Sequence, residues 1–261
     1  MPRANLLLLQ SAIAAAILFV WYVGSSVPIH GGYFLPKFFF STPGDVIARI
    51  AKMFSTASIW HHIYITLTET AFAFFIGSGL GIVIGFWFAR RAAVAAVLDP
   101  YVKAANALPR VVLAPIFMLW FGLGIWSKVA LGVTLVFFIV FFNVYQGVKE
   151  VSPVVLANAR MLGMNDRQLM RHVYWPAALS WMFSSLHTAV GFALVGAVVG
   201  EYLGSAAGLG YLIQEAEGVF DVAGVFAGMI VLAIVVLVID WLVTLIENRL
   251  LAWRPRAADR I

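Results

Sequence analysis

Ser184 and His187 stand one helical turn apart, and a serine beside a histidine is the pair from which nucleophilic hydrolysis is built. That chemistry also needs a strained elbow around the serine and an acid to orient the imidazole. Neither is evident around these two residues. The better reading is helix–helix hydrogen bonding or a wetted pathway, with Thr188 and Ser185 adding polar groups nearby. His61 and His62 form an adjacent pair, but a metal site needs further ligands and none is spaced to supply them. Cysteine is absent, which removes disulfides, thiolate chemistry and Cys-ligated metals together. No Gly-x-x-x-x-Gly-Lys-Ser/Thr loop occurs, so the chain has no phosphate cradle of that kind. Among the acids, Glu69 and Glu201 are singled out, the first early in an apolar run and the second just after one. An acid inside a membrane is costly unless it is paired or faces water, so both are candidates for a solute pathway or its gate, beside Ser184 and His187.

The elements that must carry these residues are membrane helices. The 261 residues are 63% hydrophobic and only 11% charged, with mean hydropathy +0.96. A soluble domain carries about 25% charged residues. Six apolar spans follow: Leu6–Val27, Ile63–Phe88, Leu108–Ile125, Val129–Val148, Ala178–Val199 and Val222–Ile246. The clear ones have the roughly 20 residues that cross a hydrocarbon core of about 30 Å. The third is short and interrupted by Pro109 and Pro115. Leu6–Val27 has no small-residue cleavage site followed by a polar start, and is expected to be retained. Gly77, Gly81 and Gly85 recur every four residues in the second span, a smooth strip that lets another helix approach. The run GSGLGIVIG there lies inside an apolar helix and misses the spacing of a nucleotide fingerprint.

Charge sets the orientation. The pI near 9.6 invites a nucleic-acid reading, but the basic residues lie beside apolar spans. With the N-terminus in the cytoplasm, Arg3, Arg90, Arg91, Lys149, Arg160, Arg167, Arg171, Arg249, Arg254, Arg256 and Arg260 fall inside, against Lys37, Arg49, Lys52 and Lys128 outside. Eleven against four, with Lys103 and Arg110 left beside the broken span, obeys the positive-inside rule. Trp21, Trp60, Trp126, Trp175 and Trp253 fall near span ends, as an interfacial belt requires.

The most polar long run between spans is Ala157–Pro176, ANARMLGMNDRQLMRHVYWP. Its residues predict a helix over Leu156–Leu162 and a left-handed stop at Gly163. A second short helix follows, capped by Asn165 or Asp166, with Arg171 and His172 toward its end. Pro176 then starts the next span. By the charge bias this hairpin lies in the cytoplasm, and its shape is that of a docking knob.

This stretch resembles the loop signature of the membrane subunits of binding-protein-dependent ABC importers, which reads Glu-Ala-Ala, three residues, Gly, nine residues, Ile-x-Leu-Pro. Ala159, Gly163, Val173 and Pro176 fall on the second Ala, the Gly, the Ile and the Pro. Ala157, Asn158 and Trp175 depart from it. Ser41-Thr42-Pro43 with Val46, Asp99-Pro100, Leu108-Pro109, Ala114-Pro115 and Phe121-Gly122-Leu123-Gly124 resemble the nitrate, sulfonate and taurine branch. So do Asn143 with Gly147-Val148, and Glu201 with Gly208-Leu209-Gly210, so that the likeness runs from about Ser41 to Leu250. One departure bears on substrate: Thr66-Leu67-Thr68-Glu69 stands where sulfonate-type members often read Ser-Leu-x-Arg, and permeases for pyrimidine thiamine precursors look similar to this chain there.

The resemblance implies an all-α membrane protein with the type I importer permease fold and a cytoplasmic coupling helix. It implies an N-terminal helix and outer segment over 1–62, a core over 63–250 with the coupling loop at 150–177, and a cytoplasmic tail over 251–261. The implied function is the permease subunit of an ATP-driven importer in the inner membrane, with no catalysis of its own. Its solute is nitrate-, sulfonate- or taurine-like, or a thiamine-precursor-like pyrimidine. The implied partners are two ATPase copies, a solute-binding protein, a second permease copy and the bilayer, with ATP and Mg at the ATPase and no nucleic acid. Ala159, Arg160, Leu162, Gly163, Met164, Asp166, Arg167 and Pro176 would then dock the ATPase. The alternatives are a stand-alone secondary transporter or a membrane-embedded enzyme, which call for inverted repeats or intramembrane acids and bases in catalytic array.

Overall fold

A computed structural model describes residues 3–29 and 32–250, and those residues are helical throughout except for short connections. The first helix, α1 (Arg3–Ser26), leads to a minimal antiparallel pair, β1 (Pro28–Ile29) and β2 (Gly32–Tyr33), and a one-turn helix α2 (Lys37–Phe40). Trp21 Nε1 donates to Phe40 O at 3.1 Å and ties α1 to that turn. The amphipathic α3 (Pro43–Ser55) starts as its sequence dictates: Thr42 accepts from the Asp45 amide at 3.2 Å, and Pro43 occupies the first turn, where its missing N–H costs nothing.

Three long helices make the core: α4 (Ser58–Arg90), α7 (Ile125–Lys149) and α10 (Trp175–Leu203). The glycine strip expected in the second span explains how closely they pack. A β-carbon on Gly77 would lie 2.7 Å from Val136 Cβ, one on Gly81 2.8 Å from Val140 Cβ, and one on Gly85 3.1 Å from Val144 Cβ. Two strips with the same four-residue period therefore mesh, glycine against valine. Gly132 and Gly196 repeat the device where α7 meets α10, and a β-carbon on Gly132 would also press within 2.6 Å of Ala73 Cβ on α4. Lipid offers no hydrophobic drive for helices to associate, so such close backbone approach supplies van der Waals contact instead.

The third expected span is corrected. Leu108–Ile125 is no straight helix: α5 (Ala92–Ala107) and the stretch Arg110–Phe121, which ends in α6 (Ala114–Phe121), meet at 87°. Pro109 forces Leu108 into an extended conformation (φ −64°, ψ 133°), so the helix must stop there and restart in a new direction. Five helices are long and apolar enough to cross a membrane among the described residues, or six when the bent pair counts as one.

The remaining elements are α8 (Pro153–Met161), α9 (Asp166–Leu169), α11 (Leu209–Gly218) and α12 (Val222–Leu250). Arg49 on α3 pairs with Asp221 at 2.8 Å, and Asp221 also accepts from the Gly224 amide at 2.9 Å to cap α12. The end of the bundle carrying Ser58, Ile125, Leu203 and Val222 is thus laced together by α3 and α11. The opposite end carries α8 and α9. The expected tail at 251–261, with Trp253, Arg254, Arg256 and Arg260, lies outside the described residues.

Candidate functional site

The first candidate is the hairpin between α7 and α10. Gly163 has φ +79° and nothing within 4 Å of where a β-carbon would stand, so its demand is on backbone conformation and not on space. Met164 N donates back to Ala159 O at 3.1 Å and closes the end of α8. Asn165 then caps α9 in a reciprocal box: its side chain accepts from the Gln168 amide at 2.9 Å, and the Gln168 side chain accepts from the Asn165 amide at 2.9 Å. The second short helix does not end before the span as expected. It runs on through a π-helical turn, Met170–Tyr174, straight into α10. Pro176 accounts for the turn, because its ring lacks an N–H and crowds the carbonyl four residues back, and a widened ladder relieves both.

Around this scaffold the docking candidates divide. Ala159 is buried, while Met161 and Leu162 project at 79% and 80% exposure. Arg160, Arg167 and Pro176 are exposed, Met164 is half-buried, and Asp166 reaches Arg90 at 3.7 Å. Trp175 stacks on Phe86 with centroids 5.3 Å apart, fixing the hairpin's exit against α4.

The second candidate lies at the other end of the bundle. Three consecutive amides at the entry to α11 each find a side chain on another helix. Gly208 N donates to His62 Nδ1 at 3.1 Å, Leu209 N to Thr66 Oγ1 at 2.9 Å, and Gly210 N to Glu201 Oε2 at 2.7 Å. Thr66 Oγ1 in turn donates to Glu201 Oε1 at 2.6 Å. Gly208 sits at φ +114° with its α-carbon against the Glu201 carboxyl, and a β-carbon on Gly210 would meet Glu201 Cβ at 2.9 Å. The Gly-Leu-Gly run is therefore written by the acid it wraps. His62 also stacks on Tyr211, with centroids 5.9 Å apart and planes 15° apart.

Beside this latch are two more ionisable groups. Lys128 on α7 is fully enclosed and donates to Leu123 O and, at 3.1 Å, to Gly124 O, so it ties the turn after α6 to the core. The Glu69 carboxyl adjoins that of Glu201 and lies within electrostatic reach of Lys128. Glu69 and Glu201 are each only 1% exposed, so the structure brings the two acids together and encloses both. Ser184 and His187 are elsewhere, halfway along α10. Ser184 is exposed, and His187 Nε2 lies 3.3 Å from Asp240 Oδ1 on α12. An acid does reach the histidine, but Ser184 sits inside a continuous helix and not on a strand-to-helix elbow. No cluster of three or more His, Asp or Glu suited to a metal occurs among the described residues.

Residues 77–252 match the family described as Binding-protein-dependent transport system inner membrane component. The chain belongs to this family, the permease subunits of ABC importers. It is 31% identical over 244 residues to a Bacillus subtilis protein named as an aliphatic sulfonates transport permease, covering 93% of this chain and 86% of that one. It is 32% identical over 243 residues to a formylaminopyrimidine transport permease of Halalkalibacterium halodurans, covering 92% and 93%. The fold is that of a chain of the methionine ABC transporter solved in inward facing conformations, with a TM-score of 0.64 over 76% of this chain and 96% of that one, at 16% identity.

For an importer permease, several residues that shape these sites were not legible. Lys128 enters a sequence reading only as one outer charge, since charge counting does not say which way a side chain turns. Thr66 reads as half of a departure from a sulfonate-type motif, and His62 only as a poor metal ligand. Asp240 carried a signal that was there to be read, an acid ten residues from the end of a 29-residue apolar helix.

Proposed function

We propose that the Gly163 hairpin docks a partner ATPase, and that two copies of this permease with two ATPases and a solute-binding protein make the working importer. The observation that carries this reading is the bare apolar tip. Met161 and Leu162 stand in the open at the end of a hairpin held rigid by a left-handed glycine and a reciprocal cap. Large side chains so presented gain only by burial in another protein, and a rigid knob transmits force where a floppy loop would absorb it. Ala159, Gly163 and Pro176 set the hairpin's shape, Arg160, Leu162, Met164 and Arg167 meet the partner, and Asp166 holds the knob to Arg90. ATP and Mg belong to the partner, whose closure draws two such knobs together and switches access across the membrane.

The arginine bias supports an orientation with both termini and the hairpin in the cytoplasm. The latch around Gly208-Leu209-Gly210 then lies at the outer mouth, where it sets α11 beside the incoming solute. The solute class is the one shared with the named relatives, an organosulfonate or an aminopyrimidine.

Gly163→Val tests the docking role. A β-branched residue at that φ costs about 1–2 kcal/mol of local strain, which a 33-residue α4 packed on α7 easily tolerates. Membrane insertion is expected to be normal, while co-purification of the ATPase and ATP-driven uptake fall. Unchanged uptake would remove the hairpin from the docking surface.

A further inference from the structure

The end of α4 nearest the hairpin carries two adjacent cations at the foot of an apolar face. Ile76, Leu80, Val83 and Trp87 are exposed at spacings of four, three and four residues, which sets them in one stripe along the helix. That stripe lies about 130° around α4 from Gly77, Gly81 and Gly85, so it is turned away from α7. Arg90, one turn beyond Trp87, continues the stripe, and Arg91 follows where the helix stops. From Ile76 to Arg90 the helix rises about 21 Å, more than half of a hydrocarbon core of about 30 Å. The stripe can therefore lie along one whole leaflet, with Trp87 at the boundary where indole rings settle and the arginines at headgroup level.

Beside the arginines is a cavity of about 430 Å³, lined by Phe86, Trp87, Arg90, Arg91, Asp166 and Met170. Two cations meet one carboxylate there, and the pairing leaves donors to spare. Arg90 reaches Asp166 through one nitrogen at 3.7 Å, and Arg91 has no ion pair or side-chain hydrogen bond among the described residues. Each guanidinium presents five donors in a rigid fork that matches phosphate oxygens. A free phosphate has no use for the apolar stripe, whereas a phospholipid uses both features. We propose that this cavity binds the phosphate of an anionic phospholipid such as phosphatidylglycerol, with Arg90 and Arg91 as its fork and an acyl chain laid along the α4 stripe. A zwitterionic headgroup brings an ammonium toward the arginines, so the site selects net negative charge. Because Arg90 also meets Asp166, the bound phosphate sits where the membrane adjoins the hairpin.

The test uses the full-length permease in detergent, with phosphatidylglycerol titrated in and bound lipid counted by native mass spectrometry. Arg91→Gln is expected to weaken the first bound phosphatidylglycerol about fivefold, equivalent to about 1 kcal/mol for one arginine at a membrane surface. Lys149→Gln removes a like charge from the neighbouring cavity, and is expected to leave that affinity within about twofold. Val83→Asn is expected to weaken it severalfold by wetting the acyl stripe, while inorganic phosphate at millimolar levels is expected to displace nothing. Equal losses for Arg91→Gln and Lys149→Gln would reduce the effect to general headgroup attraction and overturn the site. Phosphatidylcholine held as tightly as phosphatidylglycerol would overturn the charge selection, and displacement by inorganic phosphate would assign the cavity to free phosphate instead. Arg91 is exposed, so its variant is expected to melt with the parent, and Arg91→Lys, which keeps the charge, decides the point if it does not. No ATPase is present in this assay, so its outcome is independent of the docking role.

Discussion

Thr66→Val removes one oxygen and keeps the shape, which makes it the sharpest probe of the latch. The Thr66 hydroxyl accepts from Leu209 N at 2.9 Å and donates to Glu201 Oε1 at 2.6 Å, in a site where Thr66 itself is fully buried. Valine strands both partners away from water. A buried group left unpaired costs about 1–3 kcal/mol, so two stranded groups with some shared relaxation cost about 2–4 kcal/mol. For a domain of this size each kcal/mol moves a midpoint by about 2–4 °C, which puts the expected fall near 5–15 °C. Thr66→Ser keeps the oxygen and is expected to recover most of it. The assay is thermal unfolding of the purified permease in nanodiscs, followed by tryptophan fluorescence, with uptake measured beside it. A midpoint for Thr66→Val within about 1 °C of the parent would refute the latch as the element that holds α11.

Gly81→Ala and Gly79→Ala form a matched pair on α4: a β-carbon at 81 meets Phe137 O at 3.0 Å and Val140 Cβ at 2.8 Å, while one at 79 meets nothing within 4 Å. The first is expected to lose about 1–3 kcal/mol by overpacking, and the second to stay within about 1 kcal/mol on the stabilising side, read by the same unfolding assay. Lys128→Met leaves the carbonyls of Leu123 and Gly124 without their donor and two enclosed acids without their cation. Removing one partner from buried charges costs about 3–5 kcal/mol, so yield in the membrane is expected to collapse, and a yield equal to the parent's would refute the enclosure of Lys128.

How much of this was readable depends on which physical quantity sets each feature. The spans follow from hydropathy and the α4 strip from a four-residue period, and both are local sums over sequence. Gly163 and Asn165 were legible because a left-handed stop and a helix cap restrict residue type at one position. The bend between α5 and α6 was not. Proline announces that a helix must stop at Leu108, but the direction in which the chain resumes is set by what α6 packs on, namely α7. The latch was half legible. Gly208, Gly210 and Glu201 stand out in the sequence, yet the reason for the glycines is a carboxyl delivered from seven residues upstream on another helix face, with Thr66 and His62 contributed from far earlier in the chain.

The three acids within the bundle show why depth alone cannot assign a role. Glu69 and Glu201 are enclosed against one another, whereas Asp240 lies on an open face of α12, so it is their surroundings that separate them. Glu201 satisfies a backbone amide and a hydroxyl from two other elements, and so acts on α11 through geometry; changing it must disturb fold and function together. Glu69 is enclosed beside it, and one of its oxygens, Oε2, has no hydrogen-bond partner among the described residues. Its neighbours are Glu201 and Lys128, so any change there is felt first by the latch. Asp240, by contrast, is joined to His187, with Nε2 of the imidazole 3.3 Å from its Oδ1. Substitution of Asp240 is therefore expected to disturb the fold less than substitution of Glu201, which holds two other elements in place.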